Sequence, residues 1–124
     1  MQIITIMPDF LSAYAWAKDA EDDTTYVGGN IAAGEDGFEF SDFKVSAALV
    51  QGFCAWVGRF ERYCDDPAFD WDEFHRDGIA LARRLKAEIG DQARVVYAIP
   101  MEDRKNRKNR FMDRLEILAD GSLK

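Results

Sequence analysis

Apolar and polar positions in this chain follow two different periods. Residues 2–7 set β-branched and apolar side chains around single polar sites and stop at Pro8, which predicts a first strand. Residues 10–17 repeat every second position at Tyr14 and Trp16 and predict a second strand, with a short helix as the alternative. Residues 18–25 are almost all charged or small, the composition of a solvated turn. Residues 24–27 have strand composition and run into the turn sequence Gly28-Gly29-Asn30. Gly34-Glu35-Asp36-Gly37 is a further turn, and residues 38–40 a brief strand.

From about Ser46 the period becomes helical. Leu49, Phe53, Trp56, Val57, Phe60, Tyr63 and Cys64 recur at steps of three and four, so they share one face of a helix over 46–64. Gly52 and Gly58 each cost that helix about 1 kcal/mol relative to Ala, which close packing against a neighbour offsets. Asp65-Asp66-Pro67 ends it. A second helix spans 71–89. Asp70 is its N-cap, Glu73 follows three residues later, and Asp72 and Glu73 suit the positive end of the dipole. Its stripe is Trp71, Phe74, Gly78, Leu81, Ala82, Leu85 and Ile89, and Gly90 is the stop. Residues 94–100 predict another strand, 112–118 the last one, and Asp120-Gly121 its end. Strands, two helices and strands again describe an α+β fold. The expected architecture is a mainly antiparallel sheet with two antiparallel helices packed on one face, as one domain over 1–124.

Composition sharpens this picture. With 48% apolar residues and 16 aromatics the chain can build a core without staples. No stretch reaches the roughly 18–20 apolar residues of a membrane span, and residues 1–7 lack the basic start of a signal peptide. The expectation is a cytoplasmic protein with no membrane partner. Cys54 and Cys64 sit ten residues apart on one helix. Their Cα atoms would then be roughly 15 Å apart, where a disulfide needs less than about 7 Å, so both are expected as free thiols.

Charge is distributed unevenly. Residues 1–80 carry 16 acids and 5 bases, whereas residues 81–124 carry 7 acids and 11 bases. An acidic surface of this kind suits a basic partner and repels phosphate, which argues against nucleic acid as the main partner. Asp65, Asp66, Asp72 and Asp77 exceed what helix capping needs and form a candidate partner-binding patch at the helix–helix turn. Asp19, Glu21, Asp22 and Asp23 form a second acidic candidate, without the glycine and distal glutamate of a calcium loop. Arg104-Lys105-Asn106-Arg107-Lys108-Asn109-Arg110 is a basic loop with no aromatic platform, available to pair with the protein's own acids.

Candidate chemistry is sparse. His75 is the only histidine, on the apolar half of its helix, three residues from Asp72. A His75–Asp72 pair would be the basis of a small hydrolase or transferase, and a packed histidine with one hydrogen bond is the simpler reading. Cys54 lies off the apolar stripe with no base beside it, so it reads as structural. Gly28-Gly29-Asn30 lacks the lysine and spacing of a phosphate loop. No ligand spacing indicates a metal or a cofactor. The expectation is therefore a protein without catalytic residues, a monomer or weak dimer.

Segment 69–91, FDWDEFHRDGIALARRLKAEIGD, followed by Val95-Val96-Tyr97 and Pro100-Met101-Glu102-Asp103, resembles small bacterial immunity proteins of contact-dependent growth inhibition and related polymorphic toxins. The Tyr14–Trp16 segment and the turn at 27–30 are similar too, while the basic loop departs from that style. The resemblance implies a cytoplasmic protein that binds one cognate toxin, often a basic nuclease, and covers its active site. A phage anti-defence inhibitor with an acidic surface is the alternative with the same electrostatics.

Overall fold

The computed structural model describes residues 2–10, 13–19, 27–29, 45–106 and 114–124. It is an α+β fold. In chain order it runs β1 (Gln2–Ile6), β2 (Ala15–Asp19), β3 (Val27–Gly29), α1 (Ala47–Tyr63), α2 (Trp71–Ile89), β4 (Ala93–Ala98) and β5 (Arg114–Ile117). The sheet order is β3-β2-β1-β4-β5. Three of its pairings are antiparallel, and the central β1–β4 pair is parallel. The chain leaves β1 and returns beside it as β4 only after both helices, the long crossover a parallel pair requires.

Register decides which side chains face the helices. Ile4 lies opposite Ala17 and Val95, Ile6 opposite Ala15 and Tyr97, and Val95 opposite Ile117. Partners in register point to the same side, and all of these are buried with the helix residues in one core. α1 buries Leu49, Phe53, Trp56, Val57 and Phe60. α2 buries Phe74, Gly78, Ala82, Leu85 and Ile89, with His75 and Lys86 among them. Aromatic stacking sets Tyr14, just before β2, on Phe53 of α1 at 4.8 Å, and joins α1 to α2 through Trp56 on Phe74 at 4.6 Å.

The helix ends are fixed as their residues dictate. The Ser46 hydroxyl accepts from the Leu49 amide at 3.2 Å. The carboxylate of Glu88 on α2 takes both the Ser46 amide, at 2.6 Å, and its hydroxyl, at 2.9 Å, so one helix clips the start of the other. Asp70 caps α2 through the Glu73 amide at 3.0 Å. Gly90 stops α2 at φ +59°, a conformation that favours glycine. The buried Lys86 ammonium then donates to the carbonyls of Gly90, at 3.0 Å, and Ala93, at 2.9 Å, where the helix dipole is negative.

Close packing explains two of the helical glycines. A Cβ at Gly52 would lie 2.8 Å from Leu81, whereas one at Gly58 meets open space, so the close approach expected of both applies to Gly52 alone. Gly78 is tighter. Its Cβ would lie within 2.8 Å of both Trp56 and Tyr97, whose rings are buried and cannot swing away. Gly78→Ala is expected to cost about 1–3 kcal/mol by overpacking, read as a lower urea midpoint at unchanged slope. Gly58→Ala is the control and should not destabilise.

Three boundaries differ from the sequence pattern. Between β1 and β2, Met7 N–H bonds the Tyr14 carbonyl at 3.1 Å and Asp9 N–H the Ala13 carbonyl at 2.8 Å. β2 therefore starts at Ala15 and extends through Asp19, into what composition reads as a turn. Gly28 and Gly29 are strand residues paired with Trp16 and Ala15, because a partner strand supplies the hydrogen bonds that composition does not advertise. After Gly121 the chain turns back and bridges Leu123 to Ile117, adding a short outer pairing to β5. The turn at 34–37 and the strand at 38–40 lie outside the described residues. No described helix is long and apolar enough to cross a membrane.

Candidate functional site

His75 stands at the middle of a buried polar chain. It lies on the α2 face turned to the sheet, stacked on Trp71 at 5.7 Å and edge-on to Tyr97. Its Nδ1 is 2.6 Å from the Tyr97 hydroxyl, and its Nε2 is 2.5 Å from Asp103 Oδ2. An ionised Asp103 can only accept, so Nε2 carries a proton. In the neutral ring Nδ1 then accepts from the Tyr97 hydroxyl. Asp103 is fully buried, and Asn106 completes its shell through the backbone amide to Oδ1 at 3.2 Å and the side-chain amide to Oδ2 at 2.8 Å. Burial, reinforced by the Asp103 charge, pushes the Tyr97 phenol far above its usual range.

The alternative pairing of His75 with Asp72 is not formed. Asp72 points to solvent, facing Lys105 at 3.6 Å and the Asn106 amide at 3.4 Å. Both ring nitrogens of His75 are occupied, so the histidine makes two hydrogen bonds where one was expected. What the chain of bonds does is fasten residues 100–106 to α2 and β4.

The fastened loop shapes one end of the molecule. Met101, 60% exposed, and Phe10, 49% exposed, line a surface cleft of about 530 Å³ together with Asp65, Glu102 and Arg104. Phe10 is supported from below by Phe60, with ring centroids 5.3 Å apart. The carboxylates of Asp65 and Glu102 reach far enough to act on Cys64: burial lifts its thiol pKa, and both charges add to the rise. Exposed Tyr63 and Asp66 flank the same turn.

The acidic candidates separate under this geometry. Asp65 is exposed in the cleft beside the apolar pair, and Asp66, also exposed, follows it in the turn and holds the Ala68 amide at 2.9 Å. Asp77 is neutralised by Arg59 at 2.8 Å, and Asp72 is shared with Lys105, so neither offers an uncompensated charge. Lys105 thus shows the basic loop meeting an acid of the same chain. Asp19 ends β2, opposite Gln2, and Glu21, Asp22 and Asp23 lie outside the described residues. Cys54 is exposed and Cys64 buried, and both are free. Among the described residues no group of three or more metal-ligating side chains gathers. No protein-family model, curated protein or solved structure matches this sequence.

Proposed function

We propose that this chain is a protein inhibitor of the immunity kind, which binds a basic toxin domain through the end formed by Phe10, Met101, Asp65, Asp66 and Glu102. The carrying observation is the cleft that brings the exposed Phe10 and Met101 together with Asp65, Glu102 and Arg104, with Met101, Glu102 and Arg104 on the fastened loop. A large apolar side chain held half out of the surface gains contact area on binding at little cost in order. Acids around it attract a basic partner at a distance and speed encounter. Asp66, exposed on the α1–α2 turn next to Asp65, extends that field. Occlusion follows if these carboxylates engage the lysines and arginines with which a nuclease holds its own substrate. A cytoplasmic location belongs to the same proposal.

Met101→Asp combined with Asp65→Lys tests it. Tagged wild type and variant are exposed side by side to lysate of the source cells. The wild type is expected to retain one basic protein that high salt releases, and the variant to lose it. With the purified pair, Met101→Ala alone should weaken binding by about 2 kcal/mol, roughly thirty-fold in Kd. Equal retention on both baits, or no basic partner on either, removes this surface from the function.

A further inference from the structure

A second cleft, of about 530 Å³, runs along α2 on the side of the β5 edge. Two helices cover five strands, and α2 packs mainly on β4, so the sheet face beyond it stays partly open. The floor there is apolar, made by Ile79, Ile99, Leu115 and Leu123. The helix wall is cationic: Arg76 and Arg83 leave α2 three residues before and four after Ile79, on one stripe.

The charge balance in this cleft is the reverse of the chain's net −7. Arg83 donates through Nε to the Gly121 carbonyl at 2.8 Å, which fixes the plane of its guanidinium. Its two Nη groups have no acceptor among the described residues, and Arg76 has no ion-pair partner among them. The one carboxylate in the wall, Asp72, is already met by Lys105 and Asn106. Since Nε is taken, Arg83 presents the two parallel N–H bonds of its Nη edge, the arrangement that a planar carboxylate fits bidentately. The volume lies within the roughly 300–1,000 Å³ of small-molecule sites, with the usual mixture of an apolar lining and a few fixed polar groups.

We infer that this cleft is a binding site for a small amphipathic carboxylate. Its apolar body lies on the Ile79, Ile99, Leu115 and Leu123 floor, and its carboxylate meets Arg83, with Arg76 adding to the potential. The site stands apart from the proposed protein-binding end, and neither depends on the other.

Methyl NMR of the full chain tests this, with octanoate as the probe, octanol as its neutral analogue and inorganic phosphate as an anion without an apolar body. Octanoate is expected to shift the methyls of Ile79, Ile99, Leu115 and Leu123 saturably, with octanol and phosphate at least tenfold weaker. Arg83→Gln should weaken octanoate at least tenfold and leave octanol unchanged. Arg76→Gln should weaken it less, and Met101→Asp not at all. Octanol binding as tightly as octanoate, phosphate binding as tightly, or an Arg83→Gln variant with unaltered octanoate affinity each overturns the inference.

Discussion

Asp103→Ala is expected to destabilise the protein by about 3–5 kcal/mol, although the residue lies in a connection outside every helix and strand. Asp103 is fully buried and takes three hydrogen bonds, one from His75 and two from Asn106. Removing it leaves the His75 Nε2 proton and the Asn106 amides without their shared, fully buried acceptor, and an unpaired buried polar group costs more than its bond contributed. His75→Leu on the same background should cost far less than it does alone, because the partner is already gone. The coupling energy from urea unfolding of the two single variants and the double variant is the measurement. Amide exchange across residues 100–106 should quicken in Asp103→Ala while the middle of α2 stays protected. Single costs below about 1 kcal/mol that simply add would show that the polar chain does not hold the loop.

Much of this frame is legible from residue order, and the reasons are local. The helix limits follow from Ser46, Asp70, Gly90 and the three-and-four spacing, all of which act within a few residues of themselves. β1, β4 and β5 follow from apolar runs bounded by turn residues. The site is less legible because its bonds span long separations: Tyr97 is 22 residues beyond His75, and Asp103 is 28. Along the helix only Asp72 lies near His75, so a local search pairs the wrong acid. A signal is present nonetheless. His75 stands in an apolar stripe and Tyr97 in a strand that faces it, and two buried polar groups on facing elements must find partners. Lys86 carries the same kind of signal, a cation in the apolar face one turn before a helix end. Phe10 and Met101 give almost none, since an apolar residue in a connection is normally just exposed. It is the bonded loop that makes Met101 part of a surface.

Stability is expected to fall steeply above pH 10, by about 5 kcal/mol at pH 12. Tyr14 and Tyr97 are both almost completely buried. Burial raises both phenol pKa values far above 10, with Cys54 adding to the rise at Tyr14 and Asp103 at Tyr97. In the unfolded chain both ionise near pH 10, while in the folded protein both keep their protons. Between pH 10 and the raised folded values the native state therefore binds more protons than the unfolded state, so stability falls as pH rises. Below pH 10 both states hold both protons, and the full contribution is present. Each tyrosine loses about 1.4 kcal/mol per pH unit in that window. A domain whose whole stability is about 5–15 kcal/mol cannot carry that loss far. Tyr97→Phe separates the causes. At neutral pH it should be about 1 kcal/mol less stable, because His75 Nδ1 loses its hydrogen-bond partner. Above pH 10 it should lose stability about half as fast, so its curve crosses that of the wild type before pH 12. Cys64, whose thiol is also raised, contributes equally to both proteins and drops out of the difference. Urea midpoints measured from pH 9 to pH 12 read both slopes, and parallel curves would mean that Tyr97 is not kept neutral by its burial.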